Sequence, residues 1–390
     1  MCDSNTSMAT PQGPSAPSSV TSPTAPPAMA SRSVVIVVVV LVALAGIGVG
    51  FLVGYEYRGT PASAPKAIVN DTLSILGAGT LDTLFPMLAS ELVNETPNIS
   101  APAAAQTYEG SLDITTAITS LSARADVAAV ADFRLIPQLL EPKFASYEVV
   151  FGATPEVLCY NPSLSAFDGV NETNWAQKLI NAVSAPGAAP MAIWNASTDP
   201  NGYNEIFSLE LQGLIYNGSA SYFYDQLYSG GSTSPAVGNS YTKIEHESQG
   251  ATLLNTGVVS ALITYRSYAV VNHLHFVSFN PIVGLSANNS TALADYAQLS
   301  TKIVGSTGTL ETVVPAPVLF SITVPSNAPN PELGAAFIHL VLSPQGAAIL
   351  STGGAFTPIF PGWSDNPAAV PSVLAPDVVA LPSWANPFLS

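Results

Sequence analysis

The spacing of apolar residues divides the chain into distinct regimes. Residues 1–33 show no apolar period, residues 34–54 are apolar without interruption, and from Ala67 onward short β-branched runs alternate with stretches whose apolar residues recur every three or four positions. That last alternation predicts an α/β domain. "DTLSILGAG" predicts the first strand, and Leu84, Leu88 and Leu92 beside Phe85 predict a helix in which Pro86 occupies the first turn behind a Thr83 cap. Ser111 opens a second helix with Ile114, Ile118 and Leu121 on one face, followed by the buried strand "ADVAAVA". "GVVSALITY" predicts a further strand, and "PNPELGAAFIHLVLSPQGAAILSTGG" two helices joined at Ser343-Pro344.

The apolar run Val34 to Gly54 carries no charge over 21 positions. At about 1.5 Å per residue that length spans a hydrocarbon core of about 30 Å, so a retained anchor helix is expected. The Pro, Ser and Thr-rich residues 1–33 predict a disordered tail, and residues 55–66 a tether. Arg32 before the helix and Arg58 and Lys66 after it leave orientation undecided by charge. Downstream of the helix, sequons at Asn70, Asn94, Asn98, Asn171, Asn195, Asn217, Asn288 and Asn289 place residues 55–390 outside the cell, on a single-pass cell-membrane glycoprotein.

Composition narrows the function. The 390 residues contain 10 Lys and Arg against 26 Asp and Glu, a net charge of −16, which repels nucleic acid and offers an anion no long-range attraction. An anion must be held by short-range donors. The sparse charge also suggests an acidic exterior, in which carboxylates are protonated. Cys2 and Cys159 fall on opposite sides of the expected anchor and cannot pair within one chain; Cys159 in "EVLCYN" predicts a buried small residue.

Candidate chemistry is thin. "GAGTLD" begins like a dinucleotide fingerprint, but Asp82 stands where a third glycine is needed. What survives is a glycine turn feeding a helix N-terminus, with free N–H groups at Gly79 and the hydroxyl of Thr80; "YEGSLDI" repeats the combination at Gly110 and Ser111. Two such nests facing one cleft would hold an oxyanion, while ordinary capping is the plainer reading of each alone. "STDPNGY" is first a turn around Asp199. His273 and His275 in "NHLHF" share a face if that segment is a strand, but lack an evident third metal ligand. No GxSxG, HExxH, activated cysteine or carboxylate pair is present, so no enzyme is expected, and no cofactor.

The ordered set "GAGTL", "EGSLD", "RADVAAVADFRLIPQLLEPKFASYEVVF", "TDPNGY", "TYRSYAVVNHLHFVSF" and "SITVPSNAPNPELGAAFIHLVLSPQGAAIL" resembles the archaeal tungstate/molybdate-binding proteins of ABC transporters, within the group 1 extracellular solute-binding family. The resemblance runs from Leu73 to about Pro361. It implies a type II periplasmic-binding-protein fold, two lobes with a hinge that close on one anion. Residues 67–152 plus 280–363 would form lobe 1, 153–279 lobe 2, and 364–390 a C-terminal strap. It further implies an ABC permease and its ATPase as partners. Thr80 and Ser111 would supply hydroxyl donors, and Asp199 a carboxylate to the metal centre of the oxyanion, with Gly79, Gly110 and Tyr203 as secondary candidates. Where the family has Glu before Tyr-Arg-Ser, this chain has Thr264, which would donate a hydrogen bond to a four-coordinate oxyanion instead. Arg266 is expected to be a structural ion-pair partner. The rival readings are an adhesive surface glycoprotein and a receptor of this fold for sulfate, phosphate or another solute.

Overall fold

The computed structural model describes residues 71–228, 241–244, 247–305 and 309–389. The tail at 1–33, the anchor at 34–54, the tether at 55–66 and Asn70 lie outside the described residues. Among the described residues no single helix is long and apolar enough to cross a membrane.

Two sheets organise the chain. The larger has seven strands in the order Val378–Ala380, Thr357–Ser364, Val149–Ala153, Leu319–Thr323, Val127–Val130, Ile75–Ala78, Gln106–Glu109. Ile75–Ala78 runs parallel to both Gln106–Glu109 and Val127–Val130, and Leu319–Thr323 is antiparallel to its two neighbours. The smaller has five strands in the order Phe276–Ser278, Glu156–Tyr160, Ala261–Tyr265, Met191–Trp194, Tyr241–Ile244. The chain passes from the first sheet to the second between Ala153 and Glu156, and returns between Ser278 and Leu319 through the helix Ser290–Tyr296 and the hairpin of Thr301–Val304 with Leu310–Val313. Each sheet with its helices is a lobe.

Val127–Val130 is buried at every position, as its unbroken apolar run requires of a central strand covered on both faces. Leu84–Glu95 presents Leu84, Phe85, Leu88 and Leu92 inward, and Phe85 meets Phe337 edge to face at 5.3 Å on the helix Pro331–Val341. Pro86 sits in the first turn, but Thr83 does not cap: its hydroxyl donates to Asp82. Ser343 caps Pro344–Leu350 by accepting from Gly346 N, which bends that helix 71° from its predecessor. Leu121 departs from expectation, because the helix from Ser111 ends at Thr119 and leaves Leu121 75% exposed beyond it.

Other expectations change too. His273 adopts φ +54° in a turn and the strand begins at Phe276, so His273 and His275 do not alternate along one strand, and the described residues contain no cluster able to hold a metal ion. Cys159 is fully buried and free. Arg266 makes no ion pair among the described residues; its Nε is buried without a partner while the guanidinium lies beside Gly354.

The C-terminal segment completes lobe 1. Val378–Ala380 pairs with Gly362–Ser364, Trp384 meets Trp363 edge to face at 6.1 Å, and Phe388 meets Phe133 at 6.4 Å. Together they cover Val150, Ala316 and Leu319, an apolar face that would otherwise lie in water. A chain ended at Asn366 is expected to melt at least about 5 °C lower by circular dichroism; an unchanged midpoint would show that this segment is an appendage.

Candidate functional site

The site begins at the carboxyl ends of three parallel strands. Ala78 pairs with Glu109 and Gly77 with Ala129, so Thr80, Ser111 and Asp132, each just beyond its strand, emerge at one edge of the larger sheet. This is where open α/β sheets bind ligands, because the turns there point backbone N–H groups outward. Thr80 lies in the single turn Gly79–Leu81, fully buried, with no hydrogen-bond partner for Oγ1 among the described residues. Ser111 starts the helix Ser111–Thr119, and its Oγ accepts from Ala131 N at 2.9 Å, which aligns the second turn with the third.

The opposing surface comes from lobe 2. Asp199 caps the buried helix Pro200–Asn217: Oδ1 accepts from Asn201 N at 2.8 Å. Asn201 continues the network beneath. Its amide is satisfied when the oxygen accepts from Trp194 Nε1 at 2.6 Å and Thr264 Oγ1 at 3.2 Å, while the nitrogen donates to both Glu156 oxygens at 3.0 and 3.1 Å. Thr264 itself is the penultimate residue of the strand Ala261–Tyr265 and is fully buried.

The two surfaces touch. Leu112 N donates to Thr198 O at 3.0 Å, and a Cβ built on Gly110 would stand 2.2 Å from that same carbonyl oxygen. Glycine at 110 is therefore a condition of this approach, on steric grounds alone, since its φ of −58° is open to any residue. Beside it, Tyr203 Oη donates to Asp132 Oδ2 at 2.6 Å, again from lobe 2 to lobe 1.

A profile of bacterial extracellular solute-binding proteins matches residues 73–355. The chain belongs to that family. Its relatives include an uncharacterized solute-binding protein of Petrotoga mobilis, 26% identical over 288 residues that cover 73% of this chain and 84% of that protein. They also include the molybdate/tungstate-binding protein WtpA of Pyrococcus abyssi, 25% identical over 291 residues covering 71% and 82%. Among solved structures, the periplasmic molybdate-binding protein of Azotobacter vinelandii superposes with a TM-score of 0.49 at 13% identity, over 73% of this chain and 98% of that one. The resemblance to archaeal molybdate/tungstate-binding proteins is thus found by direct comparison, and this solute-binding protein of the ABC-transporter class binds rather than catalyses.

Set against the expected site of this solute-binding protein, Thr80 and Ser111 share one sheet edge, and the segment carrying Asp199 abuts the turn carrying Ser111. Thr264 departs from expectation. Its hydroxyl is engaged with Asn201, one layer behind Asp199, so it orients the network instead of pointing a donor at the solute. Tyr203 departs likewise, because Asp132 accepts the hydrogen bond of its hydroxyl. Asn201, Glu156, Glu205 and Asp132 went unassigned in the sequence. Asn201 stood inside "TDPNGY", while a lone Glu in "TPEVLCY" gives no signal until the fold buries it.

Burial dominates the electrostatics. It pushes the Asp199 carboxyl up to about 7, helped by the charge of Asp113 and opposed by the hydrogen bond from Asn201 N. Burial likewise drives Glu156, Glu205 and Glu148 well above the carboxylate range. Asp132 moves the other way: Arg134 outweighs its burial and lowers it.

Two predictions follow from these contacts and charges. A carboxyl raised in the folded state binds more protons there than in the unfolded chain, so its stabilisation is full below about pH 4 and falls as pH rises through about 7. Asp132, lowered from 3.8, contributes the opposite slope below that value. The thermal midpoint is therefore expected to rise as pH drops from 7.5 to about 4.5; a midpoint falling steadily over that interval would refute the assignment. The second concerns Gly110→Ala, which should keep each lobe folded but hold them apart. X-ray scattering is expected to give a larger radius of gyration at an unchanged melting midpoint, whereas an identical radius would show that closure does not bring Gly110 onto Thr198.

Proposed function

We propose that this protein is a membrane-anchored extracellular receptor that captures a molybdate- or tungstate-class oxyanion between its lobes and delivers it to an ABC permease driven by a cytoplasmic ATPase. One observation carries the reading: Thr80 Oγ1 is fully buried without a hydrogen-bond partner among the described residues, at the sheet edge that also bears Ser111, and the segment carrying Asp199 is held against that edge by the Leu112 N to Thr198 O hydrogen bond. An unpartnered buried polar atom costs about 1–3 kcal/mol, so the persistence of Thr80 Oγ1 in that state where the lobes meet argues for a ligand that satisfies it.

The chemistry favours a metal oxyanion. Hydroxyl donors from Thr80 and Ser111 suit the oxygens of any tetrahedral anion, but a carboxylate facing those oxygens repels them unless it reaches the electropositive centre. Tungsten and molybdenum expand their coordination and accept such an oxygen, while sulfur and phosphorus in sulfate and phosphate do not. With Thr264 bound to Asn201, Asp199 is the carboxylate placed to do this. The names of the Pyrococcus abyssi and Thermococcus kodakarensis relatives support the same solute class. The apolar run 34–54 and the sequons that follow it support the anchored, extracellular placement.

A second reading has its own support. The raised Asp199 carboxyl, if protonated, donates a hydrogen bond to an ordinary oxyanion such as sulfate or phosphate. Calorimetric titration separates the two. Metal coordination needs the carboxylate, so tungstate affinity is expected to increase from pH 6 to pH 8, with proton uptake by the buffer at the lower pH. Asp199→Ala is expected to cost tungstate about a hundredfold and sulfate far less. Equal losses for both anions, or tighter binding at pH 6, would exclude coordination.

A further inference from the structure

We infer that Tyr203 and Asp132 form an interlobe latch that closes this receptor with its own hydrogen bond, independently of any contact to the solute. Both partners and every atom of the contact belong to the protein. Tyr203 Oη donates to Asp132 Oδ2 at 2.6 Å in a fully buried setting, with Tyr203 on the helix Pro200–Asn217 of lobe 2 and Asp132 beyond the strand Val127–Val130 of lobe 1. The bond therefore exists when the lobes are together and breaks when they part.

Asp132 is prepared for this before closure. Arg134, two residues along the same turn, donates Nε to Asp132 Oδ1 at 2.9 Å and Nη2 to Oδ2 at 2.5 Å. Its Nη1 donates to Val314 O at 2.7 Å, which pins the guanidinium to the segment following the hairpin strand Leu310–Val313. The counter-charge thus travels with the carboxylate inside lobe 1. Closing the cleft does not bury a naked charge, which would cost several kcal/mol; it covers a pair that is already neutralised. The Tyr203 ring completes the cover, with the Arg134 guanidinium 6.0 Å from its centroid.

The latch is coupled to the solute site by one helical turn. Asp199 caps the helix that carries Tyr203 four residues later, so the element that presents a carboxylate to the solute also presents the hydroxyl to the opposite lobe. Positions four apart share a helix face. A movement that withdraws Asp199 withdraws Tyr203 with it, and the latch bond contributes to holding the solute without touching it. The latch also borders a cavity of about 210 Å³ lined by Leu112, Asp132, Arg134 and Tyr203, through which water can reach the separating groups.

The test uses the full chain carrying Cys2→Ser with spin labels on Ser90→Cys in lobe 1 and Asn255→Cys in lobe 2, both exposed; Cys159 is buried and stays unlabelled. Interlobe distances are measured by pulsed electron resonance on protein dialysed free of oxyanions. The wild type is expected to show a short-distance population that Tyr203→Phe reduces about tenfold, the magnitude of a hydrogen bond to a charged group. Asp132→Asn should reduce it too, and the double variant should add little to either single one, a coupling that independent packing defects do not produce. Tungstate release, followed by stopped flow, is expected to quicken about tenfold in Tyr203→Phe. A wild type showing the long distance throughout, equal short populations in wild type and Tyr203→Phe, or additive effects of the two substitutions would each overturn the latch. Failure of the wild type to bind tungstate would instead count against the solute assignment, with the distance measurements still deciding the latch.

Discussion

A carboxylate withdrawn from water must lose its charge, find a cation or bind something electropositive, and this protein is built around that constraint. Burial raises Asp199, Glu156 and Glu205 in lobe 2, with Glu205 and Asp199 adding to the shift of Glu156 and Asp199 to that of Glu205, and Glu148 is buried in lobe 1 with both oxygens unbonded. In a chain with 10 basic residues, cations are too scarce to pair with them all. Arg134 is spent on Asp132, where the lobes meet. For the others burial raises the pKa and favours the neutral acid, as an acidic medium does, and Asp199 combines that burial with a place in the segment where the lobes touch.

That division of labour explains why closure and binding are carried by different groups. In the proposed receptor, donors for an anion come from small hydroxyls and helix N-termini, which need no countercharge and cost little to desolvate. Closure is supplied by steric fit and by protein-to-protein hydrogen bonds: the Thr198 carbonyl seated on Gly110 and Leu112 N, and Tyr203 on Asp132. Long cationic side chains would serve both purposes at once, but they would also hold the lobes together by charge in the absence of any specific solute. Short-range contacts make the closed state sensitive to shape instead.

The sheet elements were legible in the sequence because burial on both faces leaves an unbroken apolar run, as at Val127–Val130, and because a capped helix announces its start, as at Ser343 before Pro344. The resemblance placed Thr80, Ser111 and Asp199 on facing lobes. What stayed hidden were properties of pairs. Leu121 fits the helical period of Ile114 and Ile118, yet the helix stops short of it. Thr264 reads as a donor until Asn201 is found accepting its hydrogen bond, and Tyr203 reads as a ligand until Asp132 is found opposite. In each case the residue type was right for the chemistry, and a partner distant in sequence, 63 residues for Thr264 and 71 for Tyr203, decided how it was used.

The substitution at 264 bears on selectivity through the same logic. A second carboxylate at that position would add negative charge to a pocket already crowded by Asp199, Glu156 and Glu205, and would need a bound metal centre or a proton to remain buried. Threonine removes that demand. Its hydroxyl closes the Asn201 amide network, which in turn fixes Glu156 from both oxygens and holds the backbone N–H that Asp199 accepts. The cost is coordination number: one protein carboxylate contributes at most two oxygens to a metal centre. If Asp199 binds the solute as proposed, a chain that trades the second carboxylate for a rigid cap on the first gains a site whose geometry is set before the solute arrives, and discrimination then falls on how well a fixed carboxylate meets the centre of the anion.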